Sequence, residues 1–262
     1  MRLDKYLFLK GLSDSRQKAQ ELISGGYVKK NGFIVTKTST EITDLDTVEI
    51  TGKPYPYVSR GGLKLEAAKK EFKIDFTDKI ACDLGASTGG FTDVMLRSGI
   101  KKVFAVDCGH DQLHPSISSN ERVVNLEGKN VRDIDENFLG VKCDIVVSDL
   151  SFISQTLIYS SVTKILSGGG LFISLIKPQF EAGKENIGKN GIVKDKKIHV
   201  NVIVNLLKEA SKYNLFCDGL IKSPIKGGDG NIEYLAKFNF NPESKTVYYI
   251  DKNYIQNVVD KS

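Results

Sequence analysis

The sequence predicts an α/β protein with a doubly wound, mostly parallel sheet, preceded by a small α+β module. Three observations carry this. Short β-rich runs alternate with helical stretches between residues 60 and 240. The first of those runs leads into a glycine-rich turn. The first fifty residues have a helix–helix–hairpin pattern of their own. At 262 residues the chain suits one large domain or an unequal pair. The expected division is 1–50 for the small module, 51–58 for a linker, 59–242 for the large domain and 243–262 for a carboxyl-terminal tail.

In the small module, Leu3, Tyr6, Leu7 and Leu9 recur at helical spacing, and Ser13 or Asp14 is the expected N-cap of a second helix. That helix puts Ala19, Leu22 and Ile23 on one face and stops at Gly25-Gly26. A strand pair follows, turned at Asn31-Gly32. Pro54 and Pro56 remove backbone donors and favour an extended path, which marks the linker. Beyond it, strands are expected at 80–82, 103–106, 123–124, 144–147, 171–175, 215–221 and 232–238, and helices at 61–72, 89–98, 154–167 and 195–212. A sheet of this type, here of seven strands, binds ligands beyond the strands' carboxyl ends.

Composition excludes several classes. With 40% hydrophobic and 26% charged residues the chain is neither disordered nor fibrous. Its four cysteines stand far apart without a C-x-x-C, so no zinc site, metal or disulfide framework is expected, and a reducing compartment is. Charges threaded through the amino terminus argue against a secretory signal, and no apolar run approaches membrane-spanning length; a cytoplasmic location follows as the expectation. The chain opens directly on the first helix, so no preceding extension is expected to add contacts. The net charge is +5, and residues 1–37 alone hold eight Lys or Arg against three Asp or Glu, an excess of the same size. The basic surplus therefore belongs to the small module, where Arg2, Lys5, Arg16, Lys18, Lys29 and Lys30 are candidates for neutralising phosphates.

Arg2-Leu3-Asp4, Ser15-Arg16, Ala19, Leu22-Ile23, Gly26, Val28 and Asn31-Gly32 match the pattern of the small RNA-binding domain first seen in a small-subunit ribosomal protein. The module resembles that domain, with Lys30 where an apolar residue is usual. The resemblance implies binding to structured RNA.

In the large domain the first strand runs into DLGASTGGFTD. Gly85, Gly89 and Gly90 let backbone approach a ligand closely, and the loop enters a helix amino end. A dinucleotide site would prefer G-x-G-x-x-G; here G-x-x-x-G-G stands behind the acidic Asp83, which disfavours a nicotinamide cofactor. Asp107, at the end of the second strand, could accept both hydroxyls of a ribose. Together these residues resemble the Rossmann-like methyltransferases that use S-adenosylmethionine. The resemblance implies a cofactor site formed by Asp83, Gly85, Ser87, Gly89, Gly90, Asp107, Asn130, Val131 and Asp149.

The fourth strand ends in Ser148-Asp149-Leu150-Ser151, without the D/N-P-P-aromatic motif of enzymes that methylate base amines. Cys143 precedes that strand, a poor position for a base-carbon nucleophile. Present instead are Lys64 in VSRGGLKL, Asp149 in SDLS, Lys177 in IKPQFE and Glu233 in GNIEY. The set resembles the Lys-Asp-Lys-Glu tetrad of FtsJ-type ribose 2'-O-methyltransferases. A ribose hydroxyl is a poor nucleophile and must be oriented and relieved of its proton. Lys177 is the expected activating group, either as a neutral base or as a charged stabiliser of the developing alkoxide. Lys64 would give electrostatic support, Asp149 positioning and cofactor contact, and Glu233 lysine orientation. Arg60 and the lysine-rich segment 181–197, with Lys184 and Lys189, are further RNA-contact candidates.

The segments DLGASTGGFTD, VDCGHDQLH, SDLSFIS, IKPQFEAGK and IKGGDGNIEY, behind the small module, resemble the TlyA family over nearly the whole chain. His114, where relatives often carry histidine or another aromatic, is given no catalytic role. The resemblance implies transfer of a methyl from S-adenosylmethionine to a cytidine 2'-hydroxyl of 23S rRNA, with 16S rRNA as a second target in some members. It implies ribosomal RNA in ribosomal subunits as the partner, with no obligate protein partner and no membrane. The same family carries a haemolysin label; a pore former or a catalytically silent RNA-binding protein are the alternatives.

Overall fold

The computed structural model describes residues 1–228, 230–243 and 250–261. The chain divides into two units, Met1–Pro56 and Tyr57–Ser262.

The first unit packs α1 (Leu3–Leu9) and α2 (Arg16–Ser24) with a three-stranded antiparallel sheet of β1 (Val28–Lys30), β2 (Phe33–Ile34) and β3 (Val48–Ile50), in the order β2-β1-β3. The apolar faces expected of the helices meet in a core of Leu3, Leu7, Ala19, Leu22, Ile23, Val28 and Ile42. The cap of α2 is Ser15, whose Oγ accepts from Lys18 N at 3.1 Å, in place of the expected Ser13 or Asp14; the Ser13 hydroxyl is spent on the Ser15 carbonyl. Asn31 and Gly32 both take left-handed φ, as the two-residue hairpin turn requires.

Two expectations need correction. Residues 51–56 join the first unit, because Thr51 N donates to Tyr27 O and the Tyr55 hydroxyl to Glu21 Oε2; Tyr57 and Val58 belong to the second. The unit's charge is also smaller than that of its first 37 residues. Over Met1–Pro56 there are nine Lys or Arg and seven Asp or Glu, because β3 and the loop before it add acids.

The second unit is built on a seven-stranded sheet among the described residues, ordered β6-β5-β4-β7-β8-β10-β9. Its strands are β4 (Ile80–Leu84), β5 (Lys102–Asp107), β6 (Val123–Glu127), β7 (Cys143–Ser148), β8 (Leu166–Ile176), β9 (Leu215–Lys222) and β10 (Tyr234–Phe240). The helices are α3 (Gly61–Phe72), α4 (Gly90–Arg97), α5 (Pro115–Ser118), α6 (Glu136–Leu139), α7 (Tyr159–Ile165), α8 (Lys196–Ser211) and α9 (Lys252–Asp260). Alternate residues of each strand enter different cores. Val146 and Phe172 pack with α7 and α8 residues, whereas Val147 and Ile173 pack with Leu65, Phe91 and Met95. That two-sided burial is why the strands read as continuous apolar runs.

The tail expected over 243–262 contains α9, whose Ile255 and Val259 are buried in the α8 core; residues 244–249 and 262 lie outside the described residues.

Among the described strands of the seven-stranded sheet only β10 runs against the parallel direction, and its register matters. Pairing of Tyr234 with Ile176 sets Glu233 and Lys177 side by side just beyond the paired strands. Pairing of Leu84 with Ser148 does the same for Gly85 and Asp149. Three acids and bases far apart in sequence thus reach one edge of the sheet.

Candidate active site

Lys64 arrives on α3. The start of that helix lies so close to α4 that a Cβ on Gly90 would sit 2.3 Å from Ser59 Oγ and 3.0 Å from Gly62 N, an approach open only to glycine. Lys64 Nζ lies 2.8 Å from Glu233 Oε2, off the hydrogen-bonding direction, and 3.4 Å from Asp149 Oδ2. Lys177 Nζ lies 2.6 Å from Asp149 Oδ1 and 2.8 Å from Ser151 Oγ. The four side chains form a row of alternating charge, Glu233, Lys64, Asp149 and Lys177, with no net charge to bury. Lys64, Lys177 and Glu233 are nearly inaccessible, which each would resist alone and tolerates when paired. Burial opposes ionisation of Asp149, yet Lys64 and Lys177 prevail and hold its carboxyl below the usual range.

Two residues beside the row carry information that sequence periodicity does not. Ser151 supplies the second partner of Lys177. Phe152 is 90% exposed, at φ +64°, with its ring 4.9 Å from that of Phe180. Left-handed backbone costs a bulky side chain ~1–2 kcal/mol, so an aromatic ring held in water there is a feature requiring a use. The available signal was the repeated spacing: Phe152 follows Asp149, and Phe180 follows Lys177, by three residues each. Glu181 ties these two loops together, accepting from Ser154 Oγ at 2.7 Å and Gln155 N at 2.8 Å.

The glycine-rich loop lies against the same edge. Asp83 is fully buried; its Oδ2 accepts from Thr92 Oγ1 at 2.7 Å, and its Oδ1 has no hydrogen-bond partner. Burial pushes its carboxyl up to about 7, against the Thr92 hydrogen bond and with Asp149 and Asp107 adding to the rise. Gly85, at φ +84°, would bring a Cβ within 2.8 Å of the Asp149 carbonyl. Gly89 is the αL residue that opens α4. Asp107 accepts from Ser87 N and Gly109 N, at 2.8 Å each, one on each oxygen, which leaves lone pairs on both. Asn130 caps a 3₁₀ turn (Val131–Asp133) by accepting from Arg132 N, while the Val131 side chain is buried in the core. His114 caps α5. Burial and the neighbouring Asp144 push the Cys143 thiol up to about 12, which suits an inert thiol.

The RNA-contact candidates fall in both units. Arg2 and Arg16 each place Nε 3.0 Å from the buried Asp4, and Lys18 and Lys30 pair with Asp14 and Asp46. Among the described residues, no ion pair involves Lys5, which is exposed, or Lys29, which is half-buried. In the second unit Arg60 precedes α3, and Lys184 and Lys189 are exposed in the loop between β8 and α8.

The sequence matches two families: FtsJ-like methyltransferase over residues 57–240 and S4 domain over residues 1–48. Hemolysin A of Brachyspira hyodysenteriae is 42% identical, covering 91% of this chain and 99% of its own length. The 16S/23S rRNA (cytidine-2'-O)-methyltransferase TlyA of Mycobacterium tuberculosis is 37% identical, covering 89% of this chain and 87% of its own. A solved structure, "Putative hemolysin from Streptococcus thermophilus", superposes with TM-score 0.80 at 39% identity over 100% of this chain and 94% of that one. With both family regions present in order and relatives alike along almost their full lengths, this chain is an enzyme that belongs to the TlyA family of FtsJ-like methyltransferases with an amino-terminal S4 domain.

Proposed function

We propose that the protein transfers a methyl group from S-adenosylmethionine to a cytidine 2'-hydroxyl of ribosomal RNA, in 23S rRNA and, as a second target, 16S rRNA. The observation that carries this reading is the row Glu233–Lys64–Asp149–Lys177 beside a glycine-rich loop at the carboxyl edge of a parallel sheet. The activity for which the mycobacterial relative is named agrees with it. Action on ribosomal subunits makes the cytoplasm its place of work.

The residues fit S-adenosylmethionine on two observations. The orphaned, fully buried Asp83 Oδ1 offers an acceptor for a cationic α-amino group, and the glycine at 85 keeps backbone open beside Asp149. Asp83, Gly85, Ser87, Gly89 and Gly90 would hold the amino-acid part, Asp107 the ribose, Asn130 and Val131 the adenine edge, with Asp149 adjoining. When bound, the cofactor supplies an electrophilic sulfonium methyl.

The chain's own residues deal with the acceptor hydroxyl. Asp149 and Ser151 occupy two directions around Lys177 Nζ, which leaves one N–H of the ammonium for the ribose oxygen. That N–H aims the oxygen and stabilises the negative charge it develops, and as the oxygen takes up the methyl its proton passes to solvent water. Lys64, between Asp149 and Glu233, keeps the carboxylates from drawing Lys177 out of line. Phe152 offers a ring face on which the target base can stack while its ribose faces Lys177. Arg2, Lys5, Arg16, Lys18, Lys29, Lys30, Arg60, Lys184 and Lys189 would meet phosphates, a salt-sensitive attraction without sequence preference.

The test is methyl transfer from labelled cofactor to purified large and small ribosomal subunits, with Lys177→Ala alongside. Transfer lost in the variant is expected; undiminished transfer would overturn the assignment. Among the described residues no helix is long and apolar enough to cross a membrane, and lysis of cells without any transfer would favour the pore reading instead.

A further inference from the structure

Behind the tetrad lies a second buried polar network, in residues that the catalytic reading leaves idle. The loop between β8 and α8 carries Lys184, Lys189 and Lys194, yet little secondary structure holds it. It contains a 3₁₀ turn (Lys184–Asn186) and a tight turn in which Gly188 N donates to Ile192 O and Gly191 N to Gly188 O. What fixes its far end is Val193. Its N–H donates to Asn231 Oδ1 at 3.1 Å, and its carbonyl lies 2.9 Å from His199 Nε2. A carbonyl only accepts, so Nε2 carries the proton and Nδ1 accepts from the Tyr234 hydroxyl at 2.9 Å. Asn231 Nδ2 donates to Gly191 O at 2.9 Å, and Gly227 N donates to the Asn231 carbonyl at 2.9 Å. His199, Asn231 and Tyr234 are almost wholly buried. Burial pushes the His199 imidazole down, against the Val193 hydrogen bond, and favours the neutral ring that this tautomer needs.

Asn231 and Tyr234 bracket Glu233 in sequence. Gly227, held by Asn231, lies so near Glu233 that a Cβ there would sit 2.6 Å from Oε1. The lysine loop and the outer carboxylate of the tetrad are therefore braced by one short stretch, residues 231–234. Exposed lysines attract RNA but set no register unless their backbone is rigid relative to the reacting groups, because small displacements at the reacting centre cost rate steeply.

We propose that Asn231 and His199 are positioning residues that latch the lysine-bearing loop to Glu233, so that a ribosomal RNA backbone gripped by the loop is held in register with the tetrad. This rests on the RNA methyltransferase reading and deepens it.

The experiment uses the full chain as His199→Leu, His199→Gln, Asn231→Ala and Asn231→Asp, with three readouts. These are the rate of cleavage after Lys184, Lys189 and Lys194 by a lysine-specific protease, steady-state methylation of ribosomal subunits, and cofactor affinity by calorimetry. His199→Leu and Asn231→Ala should speed loop cleavage and raise the KM for subunits, each about tenfold, at unchanged cofactor affinity. His199→Gln, whose amide can both donate to Val193 O and accept from Tyr234, should recover most of the loss. Asn231→Asp keeps the acceptor for Val193 N and loses the donor to Gly191 O, so it should fall between; it carries the test if His199→Leu does not fold. Unchanged KM in variants that loosen the loop, or a proportional fall of cofactor affinity and turnover together, would overturn the latch. Absence of transfer by the unaltered protein would overturn the underlying reading instead.

Discussion

Each unit sets an aspartate between basic side chains, and the two arrangements differ in what they leave over. Asp4 accepts from Arg2, Arg16, Gln20 and the Lys5 backbone. Every partner lies on α1, on α2 or just before α1, so the carboxylate staples two helices together and its hydrogen-bonding capacity is spent. Desolvation opposes ionisation there, but the Arg2, Gln20 and Arg16 hydrogen bonds hold the Asp4 carboxyl far below its ordinary value. Asp149 instead sits between Lys64, which arrives on α3, and Lys177, which follows β8, and Lys177 keeps a donor to spare. A closed acid–base cluster stabilises; one with an unused donor beside an exposed aromatic ring can act on something else.

The largest expected effect breaks the open cluster. Lys177→Ala should lower kcat for methyl transfer by about 100- to 1000-fold, the range for removing one donor to a developing oxyanion, with cofactor affinity little changed. Lys177→Arg, which stays charged, should recover part of the rate; a variant no better than alanine would argue for proton abstraction by Lys177.

The closed cluster should fail differently. Asp4→Ala leaves Arg2 and Arg16 half-exposed and able to reach water, so the loss is chiefly the charged hydrogen bonds, about 3 kcal/mol, confined to the first unit. Hydrogen exchange should show α1 and α2 losing protection while β4 to β8 keep theirs. Loss spread evenly over both units would contradict the division at Pro56.

Acid and base should separate Asp4 from Asp83. The folded Asp4 carboxyl lies below its unfolded value, so its contribution is present above about pH 4 and lost as pH falls below that. Asp83 lies at about 7 against an ordinary 3.8, so its folded form holds a proton that the unfolded chain has shed. Its contribution is complete below about pH 4 and declines as pH rises towards 7, by on the order of 4 kcal/mol at most. Asp83→Asn should flatten that decline in urea melts taken across pH 4 to 8; an unchanged slope would mean that Asp83 is ionised in the folded protein.

The same contrast explains how much could be read in advance. Helix faces were legible because burial imprints its period on the chain, and strands because burial on both faces leaves continuous apolar runs, as with Val146 and Val147 in opposite cores. The glycine loop was legible because close backbone approach demands glycine at 85 and 90. The tetrad residues came as motif members; their meeting depends on the antiparallel register of Tyr234 with Ile176 and on where α3 docks, and neither leaves a local trace. β3 escaped because its partner strand lies far back in sequence, and its acidic neighbours reversed most of the charge excess of residues 1–37. Ser151 and the His199–Asn231 network escaped for the same reason: one polar residue reads alike whether exposed or buried until its partners are in place.

The smallest effect concerns the ring that makes the open cluster a site. Phe152 is exposed, so Phe152→Ala, which keeps the Cβ, should leave the melting temperature within a degree or two. Base stacking on an aromatic side chain contributes roughly 1–3 kcal/mol, which at its lower end gives about a tenfold loss in kcat/KM for ribosomal subunits. Phe152→Tyr keeps the face and should keep the rate. If the ring serves only to cover Phe180, alanine there would expose that residue and lower stability without touching kcat/KM. A fall in kcat/KM at constant stability therefore separates a platform for the target base from a lid over the neighbouring side chain, and the tyrosine variant shows whether the flat face is what matters.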